Sequence, residues 1–342
     1  MTRLNTALEH YSTYNTALES GDIVVASGIV VLPLDKSGVS PMLSYQHTTI
    51  FHDESVPSND HVQDMTPIFT ASAGFVTVAP DYIGYGASKA LSHPYIQAAP
   101  SANSVIDLIR AARTYLAQRD IGLNGQLFLA GYSEGGYVSM AAHQQMETLY
   151  SEEFPVTASV VGAGPYDVRG TVDEMLLNTT RINSPAYFGF IVHGYDRYYE
   201  LDNLTLRAIA SPHHMTVDEY YDGNSTSSAI NSLLPRDTDE LFNGYFLSDY
   251  AGITGELSLK YRLDENNVYN WAPKAPIRLY HGQNDETVPY SNSSTALTAM
   301  TANEASEVTL TDCEMVPSTH VNCAAGFATF ATNYLLNAST DR

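Results

Sequence analysis

The stretch that most constrains the fold is residues 126–150, in which a short apolar run leads through a glycine-rich turn into a helical pattern. QLFLA is typical of a buried strand, and GGYVSMAAHQQMETLY is typical of a helix. The turn between them, GYSEG at 131–135, fits the pattern G-x-S-x-G. The central residue of such a turn needs a strained backbone that neighbouring side chains would crowd, so glycines are required around it. We therefore predict that Ser133 projects from the sheet as a nucleophile, the alternative being a glycine-rich packing turn.

Strand and helix patterns alternate over most of the chain. Buried strand patterns occur at 22–34 (a leading strand or hairpin), 41–50, 74–80, 126–133, 156–166, 275–282 and 307–314. Helical patterns occur at 101–119, 135–150 and 320–337. Buried strands separated by helices form a mainly parallel sheet covered by helices on both faces, so the predicted fold class is α/β.

Residues 167–270 interrupt this alternation. They are rich in Tyr, Asn and Asp, show no strand pattern, and place apolar residues where short helices would bury them. Because the segment lies between two sheet strands, we interpret it as an inserted helical cap or lid, with residues 1–166 and 271–342 forming the core domain. Its tyrosines suit either an amphipathic pocket that accepts aromatic groups or the core of the cap itself.

A serine hydroxyl is a poor nucleophile at neutral pH and needs a histidine base, which in turn needs an orienting acid. When the nucleophile lies on a strand–turn–helix, the acid and then the histidine follow it along the chain. Asp285 is predicted to be the acid, because it lies in the loop that follows the strand pattern APIRLYHG. Glu286 is its rival, and a simple turn or N-cap role for Asp285 is the alternative.

His320 is predicted to be the base, although eleven histidines compete for the role. It follows the last strand pattern after a short loop and heads the last helical pattern. His281 lies on the acid's own loop, and His213 and His214 lie in the predicted cap. A lone histidine is usually structural, so the position of His320 along the chain is what favours it.

Two backbone amides are expected to stabilise the oxyanion that forms during the reaction. One is the amide of Glu134, which would lie at a helix N-terminus directly after the nucleophile. The second should come from the loop after the third strand, where the Thr48 or Thr49 amide is the candidate donor. Either threonine could instead donate its hydroxyl or simply end the strand.

The two cysteines, Cys313 and Cys323, lie on either side of His320. Their spacing favours a local disulfide, worth about 3 kcal/mol on the chain-entropy estimate, over two reduced thiols. A disulfide indicates an oxidising compartment. Residues 1–22 lack the apolar region of a signal peptide, so either the protein is cytosolic or a leader has been replaced by Met1. The cysteine pair favours a secreted or periplasmic location.

Composition restricts the partners of the chain. It has 16 Lys and Arg against 38 Asp and Glu, a formal net charge of -22. This charge opposes binding to nucleic acids and to anionic membrane surfaces, although it can also serve solubility alone. No apolar run approaches the length of roughly 20 residues that spans a bilayer, so no integral membrane association is expected.

No cofactor or metal is expected either. DYIGYG at 81–86 is not a dinucleotide fingerprint and is interpreted as a structural turn beside the pocket. His213, His214, Asp218 and Glu219 lie close together in sequence but lack the spacing of metal ligands.

Five motifs in order, SYQHTT, APDYIGYGAS, GYSEGGY, GAGPYD and HGQNDETVPY, resemble the secretory lipase and esterase branch of the α/β-hydrolase superfamily. The resemblance spans about residues 25 to 335. It implies the α/β-hydrolase fold and a secreted acyl-ester hydrolase with a helical cap over its pocket. Members commonly have Y-Q-H-G-T and G-Y-S-Q-G-G, whereas here Thr48 replaces the glycine and Glu134 replaces the glutamine.

The residues and the resemblance together predict a serine-dependent carboxylic ester hydrolase that works through an acyl-enzyme on a small-molecule or lipid-like ester. A serine exopeptidase on the same fold is the first alternative, and a non-catalytic binding module is the second. The sequence gives no indication of the oligomeric state.

Overall fold

A nine-stranded sheet runs through the molecule, which the computed structural model describes at residues 2–4, 7–34, 38–59 and 65–342. The strands are β1 (Thr2–Leu4), β2 (Ala7–Ala17), β3 (Ile23–Pro33), β4 (Ser40–Gln46), β5 (Val76–Pro80), β6 (Leu123–Tyr132), β7 (Ala158–Gly162), β8 (Ile277–His281) and β9 (Val308–Asp312). Their order across the sheet is β1-β2-β3-β5-β4-β6-β7-β8-β9. From β5 to β9 all neighbours are parallel, while β1, β2, β3 and β5 pair antiparallel. The predicted α/β class and mainly parallel sheet are confirmed.

Helices cover both faces of the sheet. They are α1 (Thr66–Ser72), α2 (Ala98–Ala117), α3 (Glu134–Leu149), α12 (Ser291–Ala302) and α13 (His320–Ala338). On β6, Leu127 and Leu129 pack in the same cluster as residues of α2 and α3, whereas Phe128 and Ala130 pack with residues of α13. Successive strand residues point to opposite faces, so a strand covered on both sides must be apolar throughout. This explains the continuous apolar run of β6.

The N-terminal part of the sheet is a long hairpin that the sequence patterns showed only in part. β2 pairs with β3 over its whole length, from Ala7 opposite Pro33 to Ala17 opposite Ile23. The inward-facing residues of β2 include Ser12, Tyr14 and Thr16, which are buried. Because two of these three are polar, the alternation of apolar and polar residues that predicts a strand is absent.

The chain between β7 and β8, which the structure describes throughout, forms helices, turns and isolated β-bridges. The helices are α4 (Val168–Asp173), α5 (Pro185–Tyr199), α6 (Leu204–Ala208), α7 (Val217–Tyr220), α8 (Ser227–Leu233), α9 (Thr238–Leu241), α10 (Gly244–Ala251) and α11 (Leu257–Glu265). A π-helical turn, Glu174–Asn178, follows α4 directly. In the part of the chain that the structure describes, no helix has the length and hydropathy needed to cross a bilayer.

Candidate active site

Ser133 lies between the end of β6 and the start of α3 in a backbone conformation that residues other than glycine seldom adopt. Its φ is 57° and its ψ is -124°. The turn is so tight that a Cβ at Gly131 would lie 2.2 Å from the Gly135 carbonyl oxygen. A Cβ at Gly135 would lie 2.1 Å from the carbonyl oxygen of Gln46 on β4. The two glycines are therefore needed for the turn that presents Ser133 at the carboxyl end of the parallel strands.

Three side chains from distant parts of the chain form a continuous hydrogen-bonded series at this edge. His320 Nε2 lies 2.8 Å from Ser133 Oγ, and His320 Nδ1 lies 2.6 Å from Asp285 Oδ2. His320 is the first residue of α13, and its carbonyl accepts a 2.7 Å hydrogen bond from the Tyr132 hydroxyl. The structure thus brings together the three residues that the sequence order predicted as nucleophile, base and acid.

The Asp285 carboxylate is fully buried and has a partner for each oxygen. Oδ1 accepts hydrogen bonds from the Thr287 and Val288 amides, at 2.9 and 2.8 Å. Oδ2 faces His320 and also lies 3.2 Å from His281 Nε2. Burial raises the pKa of Asp285, but hydrogen bonds from His281 and His320 outweigh it and hold this pKa well below its usual range. Asp285 therefore stays ionised and can fix the imidazole of His320.

His281 is a second partner of Asp285, a role that the sequence did not predict. It ends β8, and its Nδ1 lies 2.8 Å from the Ser293 hydroxyl. Its Nε2 is also 3.0 Å from the Val288 carbonyl, so Nε2 carries the proton and can donate toward Asp285. A histidine four residues before the acid, at the end of the same strand, was the available sequence signal.

Glu286, the rival of Asp285, has a different position. One of its carboxylate oxygens accepts a 3.2 Å hydrogen bond from the backbone amide of His320. This amide is one of the free donors at the N-terminus of α13, so Glu286 caps the helix. It is Asp285, and not Glu286, that contacts the imidazole.

The disulfide between Cys313 and Cys323 is formed, as predicted. Cys313 follows β9, and Cys323 lies in the first turn of α13, three residues after His320. The Cys313 amide donates a 2.8 Å hydrogen bond to the His281 carbonyl. The disulfide therefore joins the end of β9 to the first turn of α13, the helix that His320 begins, and the Cys313 amide connects this cross-link to β8, the strand that precedes the acid.

The segment that follows β4 begins at the same edge of the sheet as Ser133, and tyrosines among residues 82–95 form hydrogen bonds with it. The Tyr82 hydroxyl donates to the His47 carbonyl at 3.0 Å, and the Tyr85 hydroxyl donates to the Ile50 carbonyl at 2.5 Å. The Thr49 hydroxyl lies 3.1 Å from the hydroxyl of Tyr95, whereas Thr48 is exposed. Which of the two threonine amides faces a substrate stays a prediction, as does the role of the Glu134 amide at the first position of α3.

The DYIGYG segment, residues 81–86, begins with a buried structural carboxylate. Asp81 accepts hydrogen bonds from the hydroxyls of Ser27 and Ser58, both at 2.6 Å. Tyr82 and Tyr85 of the DYIGYG segment hold the residues that follow β4, so this glycine-rich turn serves packing.

Among the described residues, no group of three or more His, Cys, Asp or Glu is arranged to hold a metal ion.

A cavity of about 280 Å³ opens beside the acid loop. Residues 285–287 and Pro289 form one wall, and Arg181, Ile182 and Tyr187 of the helical insertion form part of the other. The insertion between β7 and β8 therefore borders the loop that carries Asp285.

Comparison with protein families gives a match over residues 61–332 to the family described as secretory lipase. No curated protein sequence matches the chain. Among solved structures, the rice cell wall degrading esterase LipA from Xanthomonas oryzae is similar, with a TM-score of 0.89 and 26% identity over 97% of this chain and 91% of that chain.

Two further structures extend the comparison. A hydrolase from Legionella pneumophila has a TM-score of 0.87 and 26% identity, over 98% of this chain and 89% of that one. Lipase A of Candida antarctica has a TM-score of 0.71 at 16% identity, over 98% of this chain and 79% of that one. This last likeness shows the shared fold, which is that of the α/β-hydrolases.

Proposed function

We propose that this chain, which belongs to the secretory lipase family, hydrolyses carboxylic esters through an acyl-enzyme on Ser133. The family match and the similar solved structures indicate that the chain is a lipase- or esterase-like hydrolase. The observation that carries the finer proposal is the hydrogen-bonded series from Ser133 Oγ through His320 to Asp285, with contacts of 2.8 and 2.6 Å.

In the first half of the reaction, His320 Nε2 takes the proton of Ser133 Oγ as this oxygen attacks the ester carbonyl carbon. The buried Asp285 carboxylate holds Nδ1–H and stabilises the imidazolium that results. The carbonyl oxygen gains negative charge, which the Glu134 amide and the Thr48 or Thr49 amide stabilise; losing one such donor commonly costs about 3 kcal/mol. The proton then passes from His320 to the leaving alcohol, and the acyl group remains on Ser133.

In the second half, water replaces the alcohol. His320 takes a proton from the water as its oxygen attacks the acyl carbonyl, and then returns that proton to Ser133 Oγ as the carboxylic acid leaves. The same three side chains act in both halves of the reaction, and the ester and water are its two reactants.

We also propose that residues 167–270 act as a cap over this edge, on a core formed by residues 1–166 and 271–342. The cavity beside Asp285 supports this division, because helix α5 and the turn before it supply one of its walls. Tyr187 and Ile182 give that wall an apolar surface that suits the hydrocarbon part of an ester. The disulfide and the family support a location outside the cytoplasm.

Replacement of the nucleophile tests the proposal. Ser133→Ala should reduce the hydrolysis of p-nitrophenyl butyrate to background while the circular dichroism spectrum and melting temperature stay close to those of the wild type. Ser151→Ala, at an exposed serine after α3, is the matched control and should retain activity. Substantial turnover by Ser133→Ala would remove the serine from its role.

A further inference from the structure

The side chain of Glu134, directly after the nucleophile, is a buried carboxyl group with one partner. Glu134 is 1% exposed, and its Oε1 lies 2.7 Å from His93 Nε2. Its other oxygen, Oε2, is also buried and has no hydrogen-bond partner among the described residues. A carboxylate in such a place costs much free energy unless its charge is balanced.

The second nitrogen of His93 fixes how many protons the pair holds. His93 Nδ1 lies 2.6 Å from the Ile83 carbonyl, which can only accept, so Nδ1 carries a proton. One further proton lies between Nε2 and Oε1. The pair is then either an imidazolium with a carboxylate or a neutral imidazole with a carboxylic acid, and its net charge is zero in both forms.

Four tyrosines lie close enough to Glu134 for its charge to affect their pKa values. Burial, with a further contribution from the charge of Glu134, raises the pKa of Tyr85, Tyr95 and Tyr187. Burial also raises the pKa of Tyr137, with smaller contributions from Tyr199, Glu19 and Glu134. These phenols stay neutral at ordinary pH, and the structure shows no ion pair of Glu134 with any described lysine or arginine. His93 is therefore the group that balances the charge.

The same cluster touches the segment predicted to hold the oxyanion. The hydroxyl of Tyr95, which experiences the charge of Glu134, lies 3.1 Å from the Thr49 hydroxyl. The backbone amide of Glu134 is itself a predicted donor to the oxyanion. An unbalanced carboxylate one side chain away from this amide would oppose the negative charge that forms in the transition state.

From this geometry we infer that His93 is a positioning residue that keeps the His93–Glu134 pair at zero net charge, so that the carboxyl group beside the nucleophile does not oppose the oxyanion. The inference rests on the proposed function. His93 is fixed for this role by the aromatic rings of Tyr85, at 4.8 Å between centroids, and Phe190, at 5.6 Å.

A double-mutant cycle tests the inference. His93→Phe keeps a ring in the aromatic cluster but removes the proton partner, and Glu134→Gln removes the charge. We expect His93→Phe to lower kcat for p-nitrophenyl butyrate by about tenfold with Glu134 present, and by much less in the Glu134→Gln background. Because the lost contact with the Ile83 carbonyl is common to both backgrounds, it cancels in the comparison.

The pH profile supplies a second readout. In His93→Phe the carboxyl group of Glu134 has no imidazole partner, so the pH profile of kcat should differ from that of wild type, and the difference should be absent in the double variant. His93→Gln, which can donate a hydrogen bond to Glu134 but cannot hold its proton, should also lose activity only when Glu134 is present.

Two results would overturn the inference: no loss in either His93 variant, or a loss equal in both backgrounds and independent of pH, which would mean that His93 only packs. Ser133→Ala measured alongside separates this failure from that of the proposed function. Turnover retained in that variant contradicts the nucleophile, whereas equal losses in the two backgrounds contradict only the role of His93.

Discussion

At the scale of single residues, Asp285 shows how a buried group can remain charged. Two amides and two imidazoles surround the carboxylate, and together their hydrogen bonds outweigh the penalty of burial. An ionised acid is required, since it holds His320 in the tautomer whose Nε2 can accept the serine proton. His281 thus supports the predicted base without touching it.

Asp285→Asn tests this role directly. An asparagine can keep the shape of the side chain, but it carries no charge and can stabilise the wrong tautomer of His320. We expect kcat for p-nitrophenyl butyrate to fall by about 10⁴-fold. Asp120→Asn, at an exposed carboxylate, should leave kcat near that of the wild type. A fall of less than tenfold in Asp285→Asn would show that another group orients the histidine.

The same carboxylate makes stability depend on pH. Its pKa is lower in the folded protein than in the unfolded chain, so its contribution is present above the unfolded value of about 4 and is lost as pH falls through the folded value. Urea unfolding should show that Asp285→Asn is less stable than wild type at pH 6 and that the difference shrinks as the pH falls below about 4. A difference that stays constant with pH would contradict the lowered pKa.

At the scale of elements, the turn between β6 and α3 depends on close contact between backbones. A methyl group at Gly135 would lie 2.1 Å from the Gln46 carbonyl oxygen on β4, and neither backbone can move without disturbing the sheet. Gly135→Ala should lower the free energy of unfolding by about 1–3 kcal/mol and abolish activity. Gly244→Ala is the control, because a Cβ there meets no atom within 4 Å. Equal stability of the two variants would argue against the tight turn.

The disulfide fixes another element, the start of α13. Replacing both cysteines by serine should lower the free energy of unfolding by about 3 kcal/mol, because the unfolded chain gains freedom. It should also reduce kcat, since Cys323 lies three residues from His320. Urea unfolding and ester hydrolysis measure the two effects. If the double variant matched the oxidised wild type in both, the cross-link would have no role in holding the histidine.

Some helices and strands could be predicted from the sequence, and others could not. β6 and α3 were predictable because apolar periodicity and the glycines around Ser133 indicate the same strand–turn–helix. β2 was missed because its buried face carries Ser12 and Thr16, whose burial depends on pairing with β3. The helix predicted at 101–119 begins at Ala98, since Pro100 can lie in a first turn where its missing amide hydrogen costs no helical bond.

At the scale of the whole molecule, the fold unites residues that are far apart in sequence. Ser133 and His320 are separated by 187 positions, and His320 and Asp285 by 35. Parallel strands end at one edge of the sheet, so the residues that follow β6, β8 and β9 meet there. This rule made the grouping of the three predictable from chain order. The His93–Glu134 contact was not predictable, because it depends on how the loop after β5 returns over the sheet.

The role of Ser133 as nucleophile can be tested by labelling the native protein with a fluorophosphonate, followed by peptide mass spectrometry. We expect one covalent adduct, located on Ser133, whose rate of formation falls sharply in His320→Ala. Absence of an adduct on the folded protein, or an adduct on a different serine, would contradict this role.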